Sequence, residues 1–472
     1  MRSERREKTG WGASSAITRR SFTTTAVAAT LASGQARATP ATATAPGTAT
    51  GNTVRGTGPL ADYVRRVDPA TRFELLGHGD VVGGEWITGR LVSQRWRDVE
   101  WTHELSLFRP ADLPAAGPML LWIDGGSSGR MPAAGLLEPT DALRTLARVA
   151  TAAGLPAAVV RQVPYQPMFD GLFEDGLIAH SFVEFVKTGD VTWPLLLPMV
   201  KAAVEAMTAA ADVAADRWSL ATEGFVVSGA SKRGWTTWLS AALDPRVKGL
   251  VPMVIDMLSL DRHLPLQQAS FGGMSDKLVD YTSRGIEQLL GTPRGRELVR
   301  IVDPFGYRDQ LVQPKIIALG TNDPYWPLEA CGLYYDDLRG PRWVSYCPNA
   351  GHDLPGERVA GLVAAMGRHT AGIEPLPEVR WSFAVDGDGS VGRVEGPAAA
   401  VGEALAWRAE SASRDFRQAR WTAVPAERDG TGWRLELPRP AAGFTAGLVE
   451  LTFPRRPFPL TLSTGVEVVG AS

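Results

Sequence analysis

Short, continuous runs of apolar residues alternate with longer helical patterns through most of this 472-residue chain. A strand that is apolar on both faces must be covered on both faces, and a helix between successive strands lets them run parallel. The alternation therefore predicts a mainly parallel sheet with helices on each side. The predicted strands are 119–123, 157–160, 225–227, 250–255, 316–319 and 343–346, with helices at 139–152, 172–187, 195–215 and 235–243.

Two interruptions of this rhythm predict the domain organisation. Residues from about 256 to 312 contain helical segments and a glycine break, which indicates a helical cap inserted over the strand ends. From residue 376 to residue 472 the helical period disappears, and short alternating runs are separated by Asp/Gly turn clusters. That pattern is typical of a small all-β sandwich. We therefore expect an α/β domain over 59–375 followed by a β-sandwich domain over 376–472.

A serine follows one of the buried strands in the context of a nucleophile elbow. Gly229, Ala230 and Ser231 form a small-residue turn between the strand at 225–227 and the next helix. A tight turn of this kind exposes the serine hydroxyl above the sheet, and small neighbours let strand and helix pack closely. The second glycine of the motif lies at Gly234 rather than one position earlier, where Arg233 stands. The alternative is a serine that only caps the helix.

A serine nucleophile needs a base, and the base needs an acid to orient it. In α/β-hydrolases the chain order is serine, acid, histidine. Asp323 directly follows the buried strand 316–319, and His352 follows the late strand 343–346. The order and the strand-end positions predict Ser231, Asp323 and His352 as nucleophile, acid and base.

Other residues compete for these roles. Asp256, at the end of the preceding strand, is the alternative acid, whereas Asp353 is too close in sequence to His352 to orient it. His369 falls inside a predicted helix and is expected to be a packing or surface residue. His263 opens the cap and is expected to contact substrate instead.

The chemistry also requires an oxyanion hole and a substrate pocket. Paired glycines let the backbone approach a substrate closely, and they occur in the loop after the strand at 119–123. We expect the N–H groups of Gly126, Ser127 and Lys232 to bind the oxyanion, because one loop follows the third strand and the other opens the helix after the serine. The pocket wall is predicted to include the following aromatic residues: Tyr325, Trp326 and His263.

The N-terminus has the composition of an export signal. Basic residues precede Arg19-Arg20, an apolar stretch follows, and a small-x-small cleavage site lies at 36–38. The arginine pair predicts the twin-arginine route, with an ordinary secretory signal as the alternative. We expect a signal peptide over 1–38, a disordered linker over 39–58, and a mature protein that is secreted, periplasmic or on the cell surface.

Composition excludes several classes of function. The net charge of -2 shows no basic excess that would favour nucleic acid, and no apolar run is long enough to span a membrane. Neither a zinc-binding spacing nor a nucleotide-binding glycine pattern occurs, so no metal or cofactor is expected. The two cysteines, Cys331 and Cys347, are equally compatible with a disulfide and with free buried thiols.

Several segments together resemble the PhoPQ-activated pathogenicity-related protein family. The resemblance spans about residues 60–370, is weaker towards the C-terminus, and is carried by residues 122–126, 174–179, 193–204, 229–235, 303–307 and 348–352. It implies an α/β-hydrolase core and secretion but no particular substrate. After the acid the family usually has an acidic-aromatic stretch, whereas this chain has Pro324-Tyr325-Trp326, which changes the pocket wall. Glu174 and Asp175 belong to the signature, and we expect them to cap a helix rather than bind substrate.

These observations leave two hypotheses for function. The first is an exported serine hydrolase that cleaves an ester or amide bond in a small molecule, a glycan or a peptide. The second is a secreted binding or signalling protein that uses the same scaffold without catalysis, since a fold does not determine a function.

Overall fold

The protein is described here by a computed structural model over residues 54–114 and 116–471. The predicted signal peptide and most of the predicted linker lie outside the described residues. Across the described residues, none of the helices combines the length and the apolar character needed to cross a membrane.

Eighteen strands and ten α-helices are assigned within these described residues. The strands are β1 (Arg72–Val81), β2 (Gly84–Trp96), β3 (Val99–Pro110), β4 (Ala116–Ile123), β5 (Ala157–Val160), β6 (Ala221–Ala230), β7 (Val247–Met253), β8 (Lys315–Gly320), β9 (Arg342–Cys347), β10 (Arg380–Asp386), β11 (Gly389–Glu395), β12 (Glu403–Ser411), β13 (Thr422–Pro425), β14 (Glu427–Asp429), β15 (Gly432–Pro438), β16 (Phe444–Phe453), β17 (Leu460–Ser463) and β18 (Glu467–Gly470). The helices are α1 (Pro59–Arg65), α2 (Asp141–Ala153), α3 (Glu174–Thr188), α4 (Leu196–Trp218), α5 (Lys232–Leu243), α6 (Leu260–Phe271), α7 (Val279–Thr282), α8 (Ile286–Leu290), α9 (Pro293–Val302) and α10 (Gly356–Thr370).

The central sheet has the strand order of an α/β-hydrolase. Its first part runs β1-β2-β3-β5-β4-β6-β7-β8-β9, with antiparallel pairing up to β5 and parallel pairing from β5 to β9. Parallel strands point their carboxyl ends to the same edge, so the loops after β4, β6, β8 and β9 converge there. The predicted fold class is confirmed.

Helices cover the sheet on both faces and create two hydrophobic cores. Side chains from α3, α4 and α5 pack in one core, and side chains from α2 and α10 pack in the other. The strands β5 and β8 are buried along their whole length, as continuous apolar sequence requires. Helix α2 ends at Gly154, which adopts the left-handed conformation that commonly terminates helices.

The insertion between β7 and β8 is helical, as predicted. It contains α6, α7, α8 and α9, separated by short turns, and it follows the carboxyl end of β7. The α3 helix packs against α7, α8 and α9. The insertion is therefore anchored beside the edge of the sheet at which the parallel strands end.

The C-terminal residues form two antiparallel β layers. One layer has the order β10-β11-β15-β14, and the other contains β12, β13, β16, β17 and β18. The layers pack closely, because a Cβ on Gly447 of β16 would lie only 2.6 Å from a Leu437 carbon of β15. The second layer also continues the central sheet, since β17 pairs with β9 through Ser463 and Val344.

Candidate active site

Ser231 occupies a sharp turn between β6 and α5. Its backbone has φ 56° and ψ -124°, a conformation that residues with a side chain rarely adopt. The Ser231 N–H donates to the carbonyl of Met253 on neighbouring β7 at 2.8 Å, which anchors the turn to the sheet. Such a strained strand-to-helix turn is the backbone geometry of a nucleophile elbow.

The displaced glycine of the elbow has a steric reason. A Cβ on Gly234 would lie 2.7 Å from the Ile255 side chain and 2.9 Å from the Met253 carbonyl oxygen. A Cβ on Gly229 would lie 2.7 Å from the Arg233 carbonyl oxygen. The close approach of helix to sheet therefore occurs at position 234, and position 233 is free to carry a long side chain.

The structure brings Asp323 and His352 into direct contact. His352 Nδ1 and Asp323 Oδ2 are 2.8 Å apart, and Asp323 is only 5% exposed. The other carboxylate oxygen of Asp323 accepts the Tyr325 N–H at 2.9 Å. Two bonds thus fix the carboxylate, and the carboxylate in turn fixes the imidazole.

The second imidazole nitrogen is buried and has no hydrogen-bond partner among the described residues. His352 Nε2 is the nitrogen that a base would use, because Nδ1 faces the carboxylate. Within the described chain, therefore, no hydrogen bond connects it to Ser231 Oγ, and the expected serine–histidine contact is not closed in this conformation. Hydrogen bonds between catalytic groups often tighten only when substrate binds.

Tyr325 lies against the imidazole. The ring centroids of Tyr325 and His352 are 4.3 Å apart at an angle of 36°. Burial, together with the nearby charges of Asp175 and Asp323, raises the pKa of Tyr325 to about 12. The phenol is therefore neutral near pH 7 and can both donate and accept a hydrogen bond.

The other two predicted pocket residues, Trp326 and His263, contact each other. Trp326 Nε1 donates to the Val254 carbonyl at 3.1 Å, which ties this ring to the end of β7. His263 packs edge-to-face against Trp326 at 5.5 Å and is 2% exposed. Burial lowers the pKa of His263 to about 4, so it is neutral near pH 7. His263 is therefore buried against Trp326 and does not lie on an open surface.

The predicted oxyanion loop packs against the elbow helix. Gly126 follows β4 with φ 130°, and its carbonyl accepts a bond from Gln166 Nε2 at 3.1 Å. A Cβ on Gly125 would lie 2.5 Å from the Arg233 guanidinium, so this loop and the arginine side chain are in close contact. Lys232 is the first residue of α5, where backbone N–H groups have no partner within the helix. The loop after β4 and the start of α5, which are the two predicted sources of N–H donors for the oxyanion, are therefore neighbours.

Two basic residues after the serine are paired with two acidic residues of α3. Arg233 makes two bonds to the Glu174 carboxylate, at 2.6 and 2.8 Å, and Lys232 Nζ lies 3.0 Å from Asp175. Tyr281 of α7 donates to the same Asp175 at 3.0 Å. These pairs also join α3 and the insertion to the elbow.

The electrostatics of this cluster follow from the pairing. Burial pushes the pKa of Glu174 upward, but the charges of Arg233 and Lys232 outweigh it and hold this pKa at about 2. Glu174 and Asp175 lie in the first turn of α3, where acidic residues favour a helix start, and their carboxylates also pair with Arg233 and Lys232. The Lys232 ammonium is likewise paired and adds little unbalanced charge near Ser231. Sequence analysis missed this network, and its only sequence signal is the acidic pair at the start of the predicted helix.

The competing residues have other partners. Asp256 is 3% exposed and accepts the Tyr334 hydroxyl at 2.7 Å, and burial raises its pKa to about 8. Asp353 is exposed. His369 accepts the Leu376 N–H at 3.1 Å and packs against Trp343, as a packing residue would.

The two cysteines are free thiols, and both are buried. Burial raises the pKa of the Cys331 thiol well above its usual range, so a reactive thiolate is not favoured there. Among the described residues, no group of three or more His, Cys, Asp or Glu side chains is arranged to hold a metal ion.

Comparisons with known proteins give one family match and several similar structures. The model of the family described as PhoPQ-activated pathogenicity-related protein matches residues 60–417. Autocrine proliferation repressor protein A of Dictyostelium discoideum is 30% identical over 354 residues, which cover 71% of this chain and 70% of that protein.

The similar solved structures have much lower identity. Acetyl xylan esterase 1 from Thermoanaerobacterium is 15% identical with a TM-score of 0.46, and the match covers 66% of this chain and 92% of the esterase. An S-formylglutathione hydrolase from Agrobacterium tumefaciens is 11% identical with a TM-score of 0.41, covering 63% of this chain and 99% of that one.

Proposed function

The chain belongs to the PhoPQ-activated pathogenicity-related protein family, and on that premise we propose that it is an exported serine hydrolase that cleaves an ester or amide bond. The observation that carries the proposal is the geometry of His352. Its Nδ1 is held by the buried Asp323 at 2.8 Å, while its buried Nε2 has no partner among the described residues. An imidazole oriented in this way is suited to accept a proton from a serine.

The proposed reaction proceeds through an acyl-enzyme. Ser231 Oγ attacks the carbonyl carbon while His352 Nε2 takes the hydroxyl proton, and Asp323 stabilises the resulting imidazolium. The N–H groups of Lys232 and of the loop at 126–127 bind the oxyanion. The intermediate collapses as Nε2 protonates the departing alcohol or amine. Water then releases the acid by the same steps in reverse order.

Export by the twin-arginine route is part of the proposal. It rests on the basic pair Arg19-Arg20, the apolar stretch after it and the small-x-small site at 36–38. Replacing both arginines with lysine is expected to retain the protein in the cytoplasm, as measured by cell fractionation.

The test of catalysis is Ser231→Ala against a matched serine. A small activated ester serves as substrate, and a fluorophosphonate probe reports a nucleophilic serine. We expect Ser231→Ala to lower kcat by about 10⁴-fold or more and to abolish labelling. Ser228 lies three residues earlier on β6, and its buried hydroxyl has no partner in the described chain. Ser228→Ala is therefore expected to keep both the turnover of the ester and the labelling by the probe. Unchanged turnover in Ser231→Ala would eliminate this assignment.

The second candidate is a secreted binding or signalling protein without catalysis. The observation that favours it is the name of the amoebal relative, which describes a repressor of proliferation. Well-folded wild-type protein that is neither labelled by the fluorophosphonate nor active on esters would support this candidate over the hydrolase.

A further inference from the structure

The loop between β12 and β13 leaves the C-terminal strands and lies against the loops that carry Asp323 and His352. We call residues 412–421 the strap. Two of its aromatic side chains, Phe416 and Trp421, are each only 2% exposed and join the core formed by α3, α4 and α5. The strap is therefore anchored, although it forms no strand of its own.

We call the loop after β8, which carries Asp323, the acid loop. It is bonded to the strap through Asn322, the residue before Asp323. Asn322 Nδ2 lies 2.7 Å from the Ala419 carbonyl, 3.2 Å from that of Phe416 and 3.3 Å from that of Arg417. Thr321 donates its hydroxyl to Asn322 Oδ1 at 2.8 Å, which sets the orientation of the amide. Three strap carbonyls thus converge on the two hydrogens of one amide nitrogen.

We call the loop after β9, which carries His352, the base loop. It is bonded to the strap through a second asparagine, Asn349. Asn349 Nδ2 donates to the Trp421 carbonyl at 3.0 Å, and Asn349 Oδ1 accepts the Trp421 N–H at 2.9 Å. This residue lies three positions before His352 and has φ 61°, a conformation that asparagine tolerates better than most residues. Its side chain imitates the paired bonds of an antiparallel sheet.

The strap also reaches the helical insertion. The Arg417 guanidinium lies 4.0 Å from the centre of the Phe271 ring and 3.0 Å from Asp276. Arg414 makes two bonds to Glu329, at 2.6 and 2.7 Å. One short segment therefore contacts the acid loop, the base loop and the cap.

We propose that the strap is a positioning element that holds the acid and base loops at the separation which the Asp323–His352 contact requires. Asn322 and Asn349 are its positioning residues. The two loops also contact each other directly, since the Asn322 N–H donates to the Ala350 carbonyl at 2.9 Å and the Asn349 N–H donates to the Thr321 hydroxyl at 2.9 Å. The bonds to the strap restrict both loops further. A displacement of about 1 Å at a catalytic group can cost on the order of 100-fold in rate. The kinetic part of this inference rests on the proposed hydrolase function.

The test uses the full-length protein with two variants and a control. Asn349→Gly removes the side-chain bonds and still permits φ 61°, and Asn322→Ala removes the bonds to the three carbonyls. Gln418→Ala changes an exposed strap residue and is the matched control. We expect both asparagine variants to lower kcat by about 10- to 100-fold with KM within about twofold, and the control to match wild type.

A spectroscopic measurement separates this inference from the proposed function. In protein labelled with ¹⁵N-histidine, the proton on His352 Nδ1 should resonate far downfield, because it is hydrogen-bonded to the Asp323 carboxylate. Loss of the signal in His352→Gln assigns it to this proton. We expect this signal to broaden or disappear in Asn349→Gly and Asn322→Ala, and to persist in Gln418→Ala.

The outcomes are distinct. If the wild type hydrolyses nothing but the asparagine variants lose the downfield signal, the proposed function fails and the strap inference stands. If folded asparagine variants retain both the signal and kcat, the strap inference is overturned. If Asn322→Ala does not fold, Asn349→Gly decides alone, because it removes only two bonds.

Discussion

Two carboxylates, Asp256 and Asp323, follow neighbouring strands, and their surroundings differ in the hydrogen-bond partners that they offer. Asp323 is bound to His352 Nδ1 at 2.8 Å and to the Tyr325 N–H at 2.9 Å. Asp256 is buried against Tyr334, and burial raises its pKa to about 8. Near pH 7 Asp256 is therefore mostly uncharged and cannot stabilise an imidazolium.

The two aspartates can be compared by the same substitution. We expect Asp323→Asn to lower kcat for an activated ester by about 10⁴-fold, because an amide at this position favours the wrong imidazole tautomer. Asp256→Asn resembles the neutral carboxyl and should leave kcat within about threefold, since it keeps the bonding groups near Tyr334. Equal losses in the two variants would contradict Asp323 as the sole acid.

The raised pKa of Asp256 also predicts a dependence of stability on pH. Unfolded Asp256 loses its proton near the ordinary pKa of 3.8, whereas folded Asp256 holds it up to about pH 8. The stability that this group contributes is complete below the unfolded pKa and is lost as the pH rises through the folded pKa. Urea unfolding from about pH 5 to about pH 9 measures this. The free energy of unfolding of Asp256→Asn should increase relative to that of the wild type as the pH rises. A constant difference would contradict this.

Sequence reasoning at this scale succeeds where position along the strand determines contact. Asp323 and His352 each follow a buried strand, and the ends of neighbouring parallel strands meet at one edge. The partners of Glu174 could not be predicted, because its bonds to Arg233 join a helix and an elbow 59 residues apart. The roles of these residues in catalysis stay predictions.

At the scale of elements, the packing of α5 on the sheet controls the elbow. Gly234 faces the end of β7, and the Met253 carbonyl that a new Cβ would strike also accepts the Ser231 N–H. Any displacement of α5 is therefore transmitted to the serine. This coupling could not be read from the motif, whose glycine is one position away from the regular spacing.

Gly234→Ala is expected to reduce stability and activity together. Overpacking at such a contact costs about 1–3 kcal/mol, and the shifted turn should lower kcat more than it raises KM. Thermal unfolding and ester kinetics measure both effects. The control is Gly273→Ala in the insertion, where a Cβ meets nothing within 4 Å. A Gly234→Ala protein as stable and active as this control would show that the contact relaxes without consequence.

At the scale of the whole molecule, the C-terminal strands share a core with the α/β part of the chain. Val251, Ile316 and Met366 belong to the same buried cluster as Leu451 and Leu462 from β16 and β17. The change of hydrophobic period near residue 376 predicts where helices give way to strands, as the structure shows between α10 and β10. Periodicity reports local structure, however, and it carries no information about which surfaces pack together.

A chain that ends at residue 375 tests whether this shared core is necessary. Truncation would uncover β9, because Ser463 Oγ accepts the Tyr346 N–H at 2.9 Å and Ser345 donates to the Thr461 carbonyl at 2.8 Å. It would also remove the strap and leave the Arg358 side chain without its Glu450 partner.

An exposed, apolar edge strand favours aggregation, so we expect no cooperative unfolding transition and large species in size-exclusion chromatography. The matched comparison is a chain that starts at residue 39, which should remain monodisperse. A soluble truncated chain with a sharp transition would instead establish the C-terminal strands as a separable module. It would also show that the α/β part alone orders the candidate site.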